Sequence, residues 1–205
     1  MMKSNAIKFR EEWLHEGVRR FRPWLRDLKA PIPDKVYVSC GFPKGRHGAG
    51  QAIGQCWPPK STVDGTTQMF ICPTQDEPVR VLDILLHECV HAGCGNECGH
   101  KGEFKRVARE LGLEGKLTAT FAAPGTPLHE NLTGIANDLG PYPHSGMMLV
   151  KKVKKESNWI RLKSPNDDEY TLVISKTSIE EKGWPLDPQG EQMIPKKGDW
   201  EPGDE

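Results

Sequence analysis

Apolar residues return at helical spacing in the first segment of the chain. Phe9, Trp13, Leu14, Val18, Phe21, Trp24 and Leu25 share a face, with Arg and Lys between them, which predicts a helix over residues 8–28 that Pro31 and Pro33 end. Three short runs then read as strands: Val36-Tyr37-Val38, AIGQCW at 52–57 and QMFIC at 68–72, separated by turn signals at Gly41-Phe42-Pro43, Pro58-Pro59 and Asp64-Gly65. Strands this close together predict a small antiparallel or mixed sheet, with a mobile glycine-rich link at 45–50. A second helix begins near Asp76-Glu77-Pro78, with Asp76 as its cap and Pro78 in its first turn. Val79, Leu82, Ile84, Leu85, Leu86, Cys89 and Val90 cover most of its circumference, so it is expected to be buried, and Gly93 and Gly95 are expected to stop it. A third helix over 102–111 carries Phe104, Val107, Ala108 and Leu111 on one face. A fourth, over 128–139, leads into the loop GPYPHS.

Beyond residue 146 the pattern changes to alternating strands: MMLVKKVKK, NWIRLKS and EYTLVIS. Three regions follow: a first domain at 1–146, a small β unit at 147–194 and a disordered tail at 195–205. The fold class is α+β.

Composition narrows the function. Lys+Arg and Asp+Glu both total 28, so a generally basic nucleic-acid coat is excluded while a local basic patch is not. Arg19, Arg20, Arg22 and Arg26 read either as a phosphate-binding face or as a solvated helix surface, and Lys151, Lys152, Lys154 and Lys155 as a nucleic-acid contact or a solvated strand. No apolar stretch approaches a membrane span, and the N-terminus has no apolar signal core. A cytoplasmic location is expected, where the six cysteines are reduced thiols or ligands.

Chemistry concentrates in LLHECVHAGCGNECGH, residues 85–100. His87-Glu88-Cys89-Val90-His91 is an HExxH motif on the expected second helix. Residues i and i+4 lie one turn apart on one face, so both imidazoles reach one ion. Glu88 is offset by about 100° around the axis and is suited to act on a water at that ion. A catalytic zinc takes three protein ligands, and Cys94, Cys98 and His100 all follow in the next turn. Cys89 falls in the helix interior and reads as a small buried hydrophobe. Asp83, one turn before His87, is either the partner of its other ring nitrogen or a surface aspartate. Tyr142 and His144 are either donors to a developing oxyanion or parts of a proline-rich turn.

HECVHA followed by GHKGEFKRVARELGL resembles the SprT-like family of zinc metallopeptidases, in its phage and bacterial form. The resemblance covers residues 30–195 and is most specific over 82–113. It implies a zincin-like minidomain in which a small sheet packs on the HExxH helix. It implies His100 as third zinc ligand beside His87 and His91, Glu88 as general base, and peptide hydrolysis, with a strand edge taking up the substrate peptide. Proteins bound to DNA are the implied substrates, in a bacterial or phage-infected host cytoplasm. The family's C-terminal zinc ribbon departs here, because no cysteine follows Cys98. Ser164, Asp167, Asp187 and Gln189 stand where ribbon ligands are expected, which implies a zinc-ribbon-like β unit without its metal, held together by Trp159, Ile160, Leu162, Tyr170, Leu172, Ile174 and Trp184. Two other readings stand beside the peptidase: a non-proteolytic adaptor or transcription/DNA-maintenance factor with a structural zinc, and a weak DNA-binding module using the N-terminal helix and the lysine run.

Overall fold

The apolar face of the first segment folds as α1 (Arg10–Asp27), with Trp13, Leu14, Val18, Phe21 and Leu25 all buried. The structure, a computed structural model, describes residues 7–43, 52–148 and 157–196. Among them are five α-helices and three small sheets, an α+β arrangement. The chain divides into two compact units, Met1–Lys151 and Lys152–Glu205. The link at 45–50, the lysines between 151 and 155, most of the strand expected from 147, and the tail beyond 196 lie outside the described residues. No helix among the described residues is long and apolar enough to cross a membrane.

In the first unit, β1 (Val36–Cys40), β2 (Gly54–Trp57) and β3 (Thr67–Ile71) form a mixed sheet of order β1-β3-β2. β1 runs parallel to β3 and β2 antiparallel to it. α2 (Pro78–Cys94) is the hub, packed on α1, on β2 and β3, and on α3 (Gly102–Glu110) and α4 (Pro127–Leu139). This explains its apolar circumference: Val81, Leu82, Leu85, Leu86, Cys89 and Val90 meet neighbours on every side.

Three local expectations are corrected. Glu77, not Asp76, caps α2. Its carboxylate accepts from the backbone N of Val79 (3.0 Å) and Arg80 (2.6 Å), because the residue before an N1 proline is the one placed to cap. Asp76 instead accepts from the Gly146 backbone N at 2.9 Å. Gly93 does not stop the helix, which runs on to Cys94 and ends at Gly95 with φ 80°. Gly93 is needed for a close approach, since a Cβ there would lie 2.1 Å from the Ala30 carbonyl oxygen. The α1 arginines are largely engaged within the chain. Arg22 donates to the carbonyls of Ile32 (2.9 Å) and Pro33 (3.0 Å), Arg20 to Asp138 of α4 (3.0 Å), and Arg19 to Glu16 on the surface.

A hairpin of β4 (Glu114–Lys116) and β5 (Ala119–Phe121) follows α3 and was not anticipated. The residues of β4 are all exposed and carry no apolar alternation to signal a strand.

In the second unit, β6 (Trp159–Lys163), β7 (Thr171–Ser175) and β8 (Ile194–Pro195) form an antiparallel sheet of order β7-β6-β8, with α5 (Lys176–Lys182) after β7. Its core is Ile160, Leu162, Ile179 and Met193, with Ile174 and Trp184 against it. Trp159, Tyr170 and Leu172, expected in that core, are exposed; Trp159 alternates with Ile160 and therefore faces the other way. Ser164 and Asp187 are buried and joined directly: the Ser164 hydroxyl donates to Asp187 Oδ2 at 2.7 Å. Each also organises its own turn. Ser164 Oγ accepts from the backbone N of Asn166 and Asp167, and Asp187 Oδ1 from the backbone N of Gln189 and Glu191.

Candidate metal centre

His87 and His91 project from the same face of α2, as their spacing requires. His100 comes from the short loop after the 3-10 turn Asn96–Cys98, where Gly99 (φ 52°) turns the chain back. The Nε2 atom of His100 lies 3.3 Å from that of His87 and 3.1 Å from that of His91. The three ligand nitrogens all fall within 4.8 Å of one another, placed to bind a metal ion. A tetrahedral site with bonds of 2.0–2.1 Å separates neighbouring nitrogens by about 3.3 Å, close to the two spacings made by His100.

Phe104 of α3 backs the cluster. Its ring centroid is 5.0, 4.3 and 4.9 Å from those of His87, His91 and His100. This apolar wall holds the rings and keeps them from protonating. Burial pushes His87 down to about 3, with the neighbouring imidazoles adding to the shift, and His91 down to about 4; burial also lowers His100. All three are neutral at pH 7, the form that ligates a metal.

The other ring nitrogen of His87 meets Thr120 of β5, with Nδ1 and Oγ1 2.7 Å apart. For Nε2 to present its lone pair inward, Nδ1 carries the proton and donates to the hydroxyl. Asp83, read from the sequence as either the partner of that nitrogen or a surface aspartate, is neither. It is buried, paired with Arg80, and accepts from the Ala122 backbone N at 3.0 Å. It thereby pins the end of the strand that carries Thr120, acting on His87 at one remove.

Cys94 and Cys98 are not in the cluster. Burial raises the thiols of Cys89 and Cys94, Cys94 to about 11, so neither is a thiolate at neutral pH. The Cys98 thiol points to the Gly95 carbonyl oxygen at 3.0 Å. Tyr142 and His144 are also elsewhere in the first unit. Tyr142 packs on Trp13 with its hydroxyl buried beside Cys40, and burial raises its phenol. His144 bridges Arg10 (3.2 Å) and the Pro73 carbonyl (2.8 Å). Neither lines the cleft that holds the histidines.

That cleft has a volume of about 610 Å³. Its floor is the stripe Arg80, Ile84, His87, Glu88 and His91 of α2. One wall is residues 52–56, and the opposite wall is Thr118, Ala119 and Thr120. All five consecutive residues of the first wall line the cleft, as a strand edge does and a strand face does not. β2 is an outer strand of its sheet, which has the order β1-β3-β2.

Glu88 lies at the base, 5 % exposed, with no hydrogen bond to its carboxylate among the described residues. Burial alone pushes it up to about 8 in the metal-free chain; a divalent cation nearby favours the ionised form. Gly54 of β2 makes room for it, because a Cβ there would lie 2.5 Å from Glu88 Oε1 and 2.7 Å from Ile84 Cγ2. Asn96 donates to the Cys56 carbonyl at 2.6 Å and ties the ligand-bearing loop to β2.

Thr120, Gly54, Arg80 and Asn96 were all missed in the sequence. The alternation of LTATF over 117–121 was the one available sign that Thr120 sits on a strand. No protein-family model, curated protein or solved structure matches the chain.

Proposed function

We propose that the protein is a zinc-dependent endopeptidase of the SprT-like kind, with His87, His91 and His100 holding the ion and Glu88 as general base. The observation that carries this reading is Glu88. Burying a carboxylate without a hydrogen-bond partner costs free energy, which marks it as a candidate for chemistry when it sits in a cleft, and this one lies beside three converging imidazoles in an open cleft. The metal centre itself supports catalysis over a structural role. Structural zinc sites close with four protein ligands, whereas the group here numbers three among the described residues.

A bound zinc supplies a Lewis acid and a water acidified toward pKa ~7. The chain's own residues do the rest. The outer edge of β2 pairs with an extended peptide and lays it along α2. Glu88 takes a proton from the attacking water and delivers it to the leaving amine. Thr120 holds the His87 ring in its ligating tautomer, and Phe104 keeps bulk water from the imidazoles. We read the first unit as zincin-like and the second as a zinc-ribbon-like unit in which the Ser164–Asp187 hydrogen bond replaces the metal. Proteins on DNA, in a cytoplasmic setting, are the substrate class the sequence resemblance favours.

The test is Glu88→Gln in the full chain. It is expected to retain zinc and fold while losing on the order of 10²–10⁴ in peptide hydrolysis. Undiminished hydrolysis by this variant, or a wild type that binds zinc and cleaves no peptide, returns the protein to the adaptor reading.

A further inference from the structure

We infer that Arg80 forms a carboxylate-binding subsite at one end of the cleft, selecting peptides with a carboxylate two to three residues to the C-terminal side of the bond to be cut. The inference rests on the peptidase reading for the position of that bond.

Arg80, Ile84, His87 and His91 follow one another at spacings of four, three and four along α2, a continuous stripe on the cleft floor. Arg80 is the single Lys or Arg among the lining residues, and Glu88 the single acid. The guanidinium has five N–H donors. One nitrogen, Nη1, pairs with Asp83; among the described residues the guanidinium makes no other hydrogen bond. Asp83 is itself fixed by the Ala122 backbone N. The guanidinium is therefore held in place with donors left over, the arrangement that receives a carboxylate through parallel N–H bonds. Ala52, Ile53 and Ile84 line the cleft with it and lower the local dielectric.

Position and direction follow from the elements. Arg80 precedes His87 by seven residues, a rise of about 10 Å along the helix, and its guanidinium leans back toward the C-terminal side to reach Asp83, which brings it a few ångströms closer to the histidines. An extended peptide advances about 3.4 Å per residue, which places the subsite two to three residues from the metal. Gly54 lies against Ile84 and Glu88, and the Cys56 carbonyl is bonded to Asn96 just past the end of α2. β2 thus runs in the same sense as α2, with its start toward Arg80. A peptide paired antiparallel to it, the more stable ladder, brings its C-terminal side to Arg80. The carboxylate comes either from an Asp or Glu side chain or from the end of the substrate chain.

The simpler role for Arg80 is to neutralise buried Asp83, and the experiment separates the two. The zinc-loaded Glu88→Gln full chain is titrated with fluorescein-labelled, C-terminally amidated peptides in which a single Glu is moved along an otherwise uncharged sequence. The all-Gln peptide and peptides with a free terminal carboxylate serve as comparison arms. One Glu position is expected to tighten binding on the order of tenfold over Gln, a modest gain because the guanidinium is partly exposed. Adding Arg80→Gln with Asp83→Asn, which leaves no buried charge unpaired, is expected to abolish that gain. A larger gain from the free terminus than from any side chain identifies the terminal carboxylate as the source. Equal affinity for acidic and neutral peptides, an acid preference that survives the double substitution, or no peptide binding at all overturns the inference. Acid-selective binding by a protein whose wild type cuts nothing refutes the peptidase reading and keeps the subsite.

Discussion

Thr120→Val isolates the hydrogen bond that, among the described residues, orients a metal ligand from outside the HExxH helix. Valine keeps the β-branched shape, so strand β5 and its packing are preserved, and only the hydroxyl 2.7 Å from His87 Nδ1 is lost. Thr120 is 5 % exposed, so water does not replace it freely. Leaving the Nδ1 proton unpaired costs about 1–3 kcal/mol. The loss appears on metal binding, because the ring becomes free to turn or change tautomer; an orienting partner of this kind is worth about 10–100-fold in affinity. That equals roughly 1.4–2.7 kcal/mol, in agreement with the hydrogen-bond figure. Zinc affinity is measured by competition with a chromophoric chelator at neutral pH. Thr120→Ser, which keeps the hydroxyl, is expected to stay near wild type. Asp83→Asn, which weakens the grip on the Ala122 backbone two residues on, is expected to fall between them. A folded Thr120→Val protein that binds zinc within about twofold of wild type refutes the assignment, since that is below the range such partners supply.

Gly54→Ala forces a methyl group to within 2.5 Å of Glu88 Oε1, so something shifts by about 1 Å. Stability is expected to drop by about 1–3 kcal/mol and peptide hydrolysis by on the order of 10², while zinc affinity is retained; thermal melting, hydrolysis and chelator competition read the three separately. The metal-free chain should be most stable near pH 6.5. His87 and His91 have folded values of about 3 and 4, so their stability contribution is present above the unfolded value near 6.5 and is lost as pH falls toward those numbers. Glu88, raised to about 8, contributes stability that is lost as pH climbs from its unfolded value near 4.5 toward 8, so below 6.5 it offsets only part of the histidine loss. Urea denaturation of zinc-free protein across pH 4–9 checks this, and a stability that rises steadily through neutrality would contradict it. Ser164→Ala should destabilise the second unit by about 1–3 kcal/mol, because the turn amides of Asn166 and Asp167 lose their acceptor and Asp187 a donor. Hydrogen exchange at β6 and β7 should speed up, while a chelator leaves these amides unchanged.

Local periodicity was sufficient for what depends on neighbours a few residues apart. The four helices of the first unit, the short strands β1 to β3 and the pairing of His87 with His91 all follow from repeats of 3.6 or 2, because backbone geometry alone puts those side chains on one face. In β6 the expected core held Trp159 together with Ile160 and Leu162, although adjacent strand residues face opposite ways; Trp159 is exposed while Ile160 and Leu162 are buried.

The rest was decided by contacts between segments distant in sequence. His100 over Cys98 as the companion of the helix pair depends on how the glycine turn folds back, which spacing leaves open. Thr120 reaches His87 across 33 residues, through a hairpin whose first strand has no apolar pattern. Asp76 was expected to cap α2, and the backbone geometry at Pro78 chose Glu77 instead. Gly54 means little in sequence; only the approach of β2 to Glu88 shows why a side chain cannot stand there. Short-range steric rules fix which residues share a face, whereas burial, and with it the shifted protonation of His87, His91 and Glu88, exists only once the sheet, the hairpin and α3 have closed over α2.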